Sequence, residues 1–334
     1  MNNVIYREKR RYRYHGTRSG AFFLPFMEER FQHGFSSLWE QFGYEIGGPV
    51  CYSFVRWLAA ELNRSEDVTG VAFVARDGYL LQKTFEALPI VRRLKTHYVY
   101  ATRAVAQACG SQDARKAYHA YLASMDFGEG TVGVVDTVTM EFSSQRLLTG
   151  ELEHKTRGYF WTVLRSAKDF GRDCTYRTFQ EEPYHLVRCW NLIEFILTSP
   201  EPPISAVREG KPVYNRVTPQ EADRKQIFEQ VEKGVSAFVD DLCKRNAFPE
   251  IGYLEIVKWV NDYLKHPDPE DIRLFSSVMI SENDDHSEYI PLDPFSRKKP
   301  FKALKDRLWL FSQRHKTLYS VLHRIRRVVN RKEK

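Results

Sequence analysis

The sequence predicts an α/β protein, a parallel sheet with helical additions at its N-terminal and C-terminal ends. Three observations carry this expectation. Short apolar runs, "GVAFVA", "HYVYAT", "TVGVVD" and "RGYFWTVL", recur between residues 70 and 164. Segments of helical character separate them, near residues 78–88, 103–124 and 141–149. The runs are mostly continuous rather than alternating, as in strands that helices cover on both faces.

The remaining elements follow in order. Residues 27–64 read as helical, and "SLWEQFGYEIGGPVCYSFVRWLAAEL" is apolar around much of its circumference, the mark of a buried helix. Gly47 and Gly48 before Pro49 predict a break between two helices. Residues 216–278 are helical again, and Thr218 with Glu221 three residues on matches a capping box. Near the end, Leu304, Leu308, Phe311, His315, Leu318, Leu322, Ile325 and Val329 fall on one helical stripe among lysines and arginines. The expected organisation is an N-terminal helical region (1–64), an α/β core (65–215), a helical region (216–290) and a basic amphipathic C-terminal helix (291–334).

Composition narrows the function. The chain of 334 residues carries a net charge of +7, but residues 297–334 hold 14 Lys and Arg against 2 Asp and Glu. The preceding residues hold 36 against 41, so the body is mildly acidic and the tail is a basic appendage. No nucleic-acid partner is expected from such a body, because its aromatic residues lie in apolar runs and not among lysines. No apolar run is long enough to cross a membrane, and "MNNVIYREKRRYRYHGTRSG" lacks the apolar segment of a secretory signal. Five scattered cysteines without a CxxC pair predict a reduced, cytoplasmic protein.

Chemistry is expected at the carboxyl ends of the strands, where open α/β sheets gather ligands. "ARDG" brings Arg76, Asp77 and Gly78; "YVYATRA" brings Thr102 and Arg103; "VGVVDTVTMEFSSQ" brings Asp136, Thr137, Thr139, Ser143 and Ser144. A hydroxyl-rich loop entering a helix suits a phosphate, and arginines suit a second one. An aspartate can bind sugar hydroxyls, hold a hydrated magnesium ion or take a proton. Taken singly, Arg76 and Asp77 could pair or cap the next helix, and the hydroxyls could be ordinary caps. Glu194 stands in the apolar run "NLIEFIL" ahead of Thr198, Ser199 and a proline-rich loop, so its carboxylate needs a partner or a task. "GEGTVG" precedes its strand and is not a dinucleotide fingerprint.

Strand–"ARDG"–helix, then "YATRA", then "VGVVDTVTMEFSSQRLL", resembles type I phosphoribosyltransferases. The resemblance implies a phosphoribosyltransferase-like sheet. It puts Arg76 and Asp77 on a pyrophosphate loop, and Asp136 through Ser144 on the loop that binds phosphoribosyl pyrophosphate (PRPP). That loop usually opens with two acids and contains a glycine; here Val135 precedes Asp136, and Glu141 and Phe142 stand at small-residue positions. In order, "FGYEIGGPVCYSFVRWL", "VARDGYLLQK", "YVYATRA", "VVDT" and "IEFILTSPEPPI" are similar to a module of bacterial surface-polysaccharide clusters. Many relatives of that module are labelled predicted hydrolases because it is often fused to a haloacid-dehalogenase-type domain, whose nucleophile motif is missing here.

The better-understood members of the module are PRPP-dependent glycan phosphoribosyltransferases, glycosyltransferases of O-antigen and capsule biosynthesis. The resemblance implies transfer of ribofuranose 5-phosphate to a lipid-linked glycan acceptor with β-linkage, a separate phosphatase acting on the product, and Mg2+ as cofactor. It implies Arg76 and Arg103 opposite the pyrophosphate, Asp77 at the metal, Asp136 on ribose, and Asp77 or Glu194 as general base. The basic stripe suits an anionic membrane surface, which would make the protein peripheral at the inner face of the cytoplasmic membrane. The alternative is a non-catalytic member that binds a sugar phosphate or scaffolds an assembly complex.

Overall fold

The computed structural model describes residues 18–90, 94–139, 141–163, 174–180, 190–281 and 288–295. The stripe from Leu304 to Val329 lies outside the described residues. Five strands, β1 (Val68–Val74), β2 (Lys95–Val99), β3 (Thr131–Thr139), β4 (Thr156–Val163) and β5 (Thr175–Thr178), form one sheet in the order β2-β1-β3-β4-β5. Every pairing is parallel, as the continuous apolar runs predict.

Successive side chains of the central strands point to opposite faces. Val71, Phe73 and Val135 enter one core, and Ala72, Val74, Val132 and Val134 enter a second. The second face is covered by α5 (Arg103–Ala108), α6 (Gln112–Ala123) and α7 (Ser143–Glu151), through Val105, Tyr118, Tyr121, Leu122 and Leu148. The first face carries α4 (Gly78–Ala87) and the helical additions. These are α1 (Arg18–His33), α2 (Leu38–Phe42) and α3 (Gly48–Asn63) from the N-terminal region, then α8 (Trp190–Leu197), α9 (Pro219–Arg245), α10 (Tyr253–Lys265) and α11 (Pro269–Phe275). Two hairpins complete the described chain, β6 (Ile204–Arg208) with β7 (Lys211–Tyr214), and β8 (Met279–Ser281) with β9 (Tyr289–Pro291).

The N-terminal and later helical regions share one core. Phe23 of α1 meets Phe238 of α9 and Trp259 of α10 edge-on, with ring centroids 5.2 and 5.6 Å apart. The Trp259 indole donates to the Glu45 carbonyl at 3.0 Å, which ties α10 to the turn ahead of α3. Cys51, Cys109, Cys174 and Cys243 carry free thiols.

The expected break at Gly47 and Gly48 is corrected. A π-helical turn, Gly43–Gly47, runs from α2 straight into α3, and both glycines keep right-handed helical dihedrals. Their role is close approach to α9. A Cβ on Gly43 would lie 2.2 Å from the Val231 carbonyl oxygen, and one on Gly48 would lie 2.4 Å from the Phe238 ring. From the other side, a Cβ on Gly234 of α9 would lie 2.1 Å from the Glu40 carbonyl oxygen. Backbone meets backbone here, so neither side can yield by a rotamer change.

This contact sets a test in which two effects oppose. In an ordinary helix interior Gly→Ala stabilises by about 1 kcal/mol. Gly234→Ala is expected instead to destabilise by about 1–3 kcal/mol, the overpacking range, read from urea unfolding midpoints. Stability equal to or above that of the wild type would show that α9 does not approach the π-helical turn this closely.

Candidate functional site

The chain leaves β1 through α4 toward β2 on one side and leaves β3 through α7 toward β4 on the other. Loops that depart in opposite directions from adjacent strands open a crevice at their carboxyl ends. A cavity of about 480 Å³ lies there. Arg76, Asp77, Thr102, Arg103, Asp136, Thr137, Ser143, Ser144 and Glu194 all line it.

Asp77 sits at the start of α4 but does not cap it; its carboxylate makes no bond to the helix N–H groups. It accepts instead from the Thr137 hydroxyl at the end of β3. The helix-cap reading of Asp77 is thereby excluded. Burial pushes the Asp77 carboxyl up, against the Thr137 bond and the Arg76 charge. Gly78 does not line the cavity. A Cβ there would lie 2.8 Å from the Phe73 backbone, so the glycine lets α4 start against β1.

Asp136 is held from two sides, by the Thr137 N–H at 2.8 Å and the Ser144 hydroxyl at 2.7 Å. Burial and then the Asp77 charge push it up to about 7, while Ser144, the Thr137 amide and Arg103 pull the other way. Two carboxylates that face each other away from bulk water favour a shared proton or a cation between them.

Thr139 also lies outside the cavity lining. Its hydroxyl accepts from the Phe142 N–H at 2.7 Å and shapes the turn into α7. Phe142 adopts a left-handed conformation with φ 54°. Its buried ring packs with Phe160 and Tyr176, which accounts for a large residue at this loop position. Ser143 and Ser144, by contrast, open α7 at the cavity wall.

Thr102 caps α5 by accepting from the Val105 N–H at 3.3 Å, and Arg103 follows it, exposed, on the cavity rim. Glu194 of α8 accepts from the Trp190 indole at 2.8 Å. Its carboxyl is raised to about 7, first by the protein around it and then by the Asp77 charge, with Trp190, Arg103 and Arg76 opposing. Its side chain stays open to solvent, so water moderates that push.

The sequence reading missed the far wall. Arg224 of α9 is buried and every nitrogen of its guanidinium is engaged. Nε and Nη2 bond the Glu221 carboxylate at 2.9 and 2.7 Å, Nη1 bonds the Thr198 hydroxyl and the Ser199 carbonyl at 3.0 and 2.7 Å, and Nη2 also bonds the Glu201 carbonyl at 2.9 Å. Arg76 reaches the same Thr198 hydroxyl at 3.3 Å. Burial lowers the basicity of Arg76, and the Arg224 charge adds to that, while Glu221 and Asp77 counter it. The capping-box expectation is half correct. Thr218 accepts from the Glu221 N–H at 3.2 Å, but the Glu221 carboxylate turns inward to Arg224. The signal available in sequence was that i, i+3 pair on the helix face that also carries Phe228 and Val231.

The cavity wall thus carries Arg76, Arg103 and Arg224 against Asp77, Asp136, Glu194, Glu201 and Glu221. Among the described residues no group of three His, Cys, Asp or Glu could hold a metal ion by itself. The Asp77–Asp136 pair nevertheless fits hydrated magnesium, which binds through one or two carboxylates together with substrate phosphates. No known family model matches the chain, and no curated protein matches it in sequence. Among the described residues no helix is long and apolar enough to cross a membrane.

Removal of Arg224 would take the ion-pair partner from Glu221 and a donor from three oxygen acceptors. Arg224→Met is expected to cost about 3–5 kcal/mol in urea unfolding, the range for breaking a buried ion pair; a cost below about 1 kcal/mol would show that Arg224 is solvated.

The raised carboxyls make a second test. Asp136 and Glu194 stand near 7 when folded, against ordinary values of 3.8 and 4.5. The folded protein therefore holds more protons than the unfolded chain between these limits. Their contribution is complete below about pH 4 and is lost as pH rises through about 7. In metal-free buffer the thermal midpoint should fall between about pH 5 and pH 8, and Asp136→Asn should flatten that fall. Equal slopes in both proteins would mean that Asp136 keeps an ordinary carboxylate pKa.

Proposed function

We propose that the chain is a glycan phosphoribosyltransferase. It moves the 5-phosphoribosyl group of PRPP to a hydroxyl of a lipid-linked glycan in bacterial surface-polysaccharide biosynthesis, and so forms a β-ribofuranosyl 5-phosphate. What supports the reading is convergence: nine of the eleven candidate site residues read from the sequence line one cavity at the β1–β3 crevice.

Each role follows from position. Arg76 and Arg103 offset the charge that develops on the leaving pyrophosphate. Ser143 and Ser144, at the start of α7, face the 5-phosphate. Asp136, oriented by Ser144 and the Thr137 amide, accepts from ribose hydroxyls. Asp77, with Asp136 beside it, would hold Mg2+, which supplies further positive charge at the pyrophosphate. The acceptor oxygen forms a bond to the anomeric carbon as the bond to pyrophosphate breaks, and pyrophosphate leaves with that electron pair. The hydroxyl proton passes to a carboxylate. Glu194 suits this task best, because a base near 7 is matched to neutral pH and its side chain is open to the cavity. A separate phosphatase then removes the 5-phosphate. Membrane attachment through the basic stripe of residues 302–331 belongs to the same proposal and rests on sequence alone.

A non-catalytic sugar-phosphate-binding reading draws on one observation: the loop after β3 directs the Phe142 N–H to Thr139 and not toward a ligand. Turnover decides between the two. With PRPP, Mg2+ and lipid-linked glycan, Glu194→Gln is expected to lose about 10²–10⁴-fold in turnover with PRPP affinity retained. Full turnover by that variant would remove Glu194 as the base. Magnesium-dependent PRPP binding by the wild type without any transfer would favour the non-catalytic reading.

A further inference from the structure

The cavity has two chemically unlike sides. Arg76, Arg103 and Ser144 suit anions. The lining also holds Tyr100, Glu201, Pro202, Pro203 and Ile204. The Glu201 carboxylate accepts from the Tyr100 hydroxyl at 2.9 Å and the Tyr214 hydroxyl at 3.1 Å, and the two phenol oxygens are 3.2 Å apart. Its charge is thus met by neutral phenols, while Arg224 grips only its backbone carbonyl. A carboxylate so placed repels phosphate and welcomes hydroxyl donors.

Hydrogen bonds tie this wall to an exposed tyrosine, Tyr214, just outside the cavity lining. Tyr214 is 42% exposed although its hydroxyl is tied to Glu201. It pairs with Ile204 across the β6–β7 hairpin, and the next residue, Asn215, donates from its N–H to the Pro203 carbonyl at 2.7 Å. Arg224 pins the segment 198–201 beneath. An immobilised carboxylate, two phenol hydroxyls and an open ring face suit a ligand with hydroxyls on its edge and C–H groups on its face.

We propose that the Glu201–Tyr100–Tyr214 wall is a subsite for a neutral pyranose residue, with the two phenol hydroxyls that Glu201 orients bonding its hydroxyls and Tyr214 covering its apolar face. The word acceptor for this sugar rests on the transferase reading; the subsite itself does not.

The test uses the full chain with two neutral probes, methyl α-D-glucopyranoside and methyl α-D-galactopyranoside, followed by saturation-transfer NMR. PRPP with Mg2+ is titrated in parallel. At least one glycoside should receive saturation from the wild type at millimolar concentration. Tyr214→Ala and Glu201→Gln should each weaken it about tenfold, the scale of a hydrogen bond to a charged group, and neither should weaken PRPP binding by more than about twofold. Tyr214→Ala removes an exposed ring, and an unchanged thermal midpoint checks that the wall still folds. The proposal is overturned if neither glycoside receives saturation from the wild type, or if both variants bind glycoside normally. It is also overturned if PRPP affinity falls in step with glycoside affinity, because the wall would then belong to the donor site. Glycoside binding that depends on Tyr214 in a protein that does not bind PRPP would support the subsite and sink the transferase reading.

Discussion

The hydrogen-bonded adjacency of β1 and β3 at the centre of the sheet governs the site. Because the chain leaves these strands in opposite directions, Asp77 and Asp136 meet across one crevice with Thr137 between them. Thr137 serves both, its hydroxyl donating to Asp77 and its amide to Asp136. Two half-buried carboxylates whose charges act on each other cannot both ionise cheaply. Ser144, Arg76 and Arg103 are placed against that repulsion, and Glu194 feels it from across the cavity.

The helical layer fixes the rest of the cavity through α9. The middle of that helix is located by the glycine contacts with the π-helical turn, where Gly234 and Gly43 bring backbones together. Ten residues earlier, roughly 15 Å along the axis, the same helix delivers Arg224 to the segment 198–201. A shift of α9 along its axis would separate Arg224 from its acceptors. The N-terminal helices therefore act on the site at a distance, by setting the register of the helix that staples its far wall. The buried Arg224–Glu221 pair is weak evidence for stability in itself. Its value is geometric, because it gives Thr198 and Glu201 defined positions.

The sheet was legible because its strands are covered on both faces and so read as continuous apolar runs. The near wall was legible for the same reason: Asp77 and Asp136 directly follow such runs, and a charge at a strand end stands out. Thr139 and Gly78 were misassigned because sequence order places them in the right loops without saying which way they face; one shapes a turn and the other admits a helix. Gly47 and Gly48 misled because glycine signals both a break and a close approach, and only the position of α9 decides. The far wall was hidden for a different reason. Glu221 and Arg224 come from a helix more than eighty residues beyond Asp136, and their spacing is also that of an ordinary exposed ion pair.

Charge completes the argument about ligands. Three guanidinium groups, Arg76, Arg103 and Arg224, line the crevice against five carboxylates, and Arg224 is bonded to the segment 198–201 and to Glu221. A polyanion entering alone meets an excess of like charge. At acid pH, protons on Asp136 and Glu194 relieve it; at neutral pH a divalent cation carried by the ligand does the same. On the proposed transferase reading, such a pocket would favour the magnesium complex of a phosphate ester over the bare anion. A neutral sugar on the Glu201 wall is indifferent to that balance, because the hydrogen bonds it would make are to phenols outside the Asp77–Asp136 pair. Binding of the anionic ligand should therefore depend on magnesium and pH together, whereas binding at the Glu201 wall depends on neither through the Asp77–Asp136 pair.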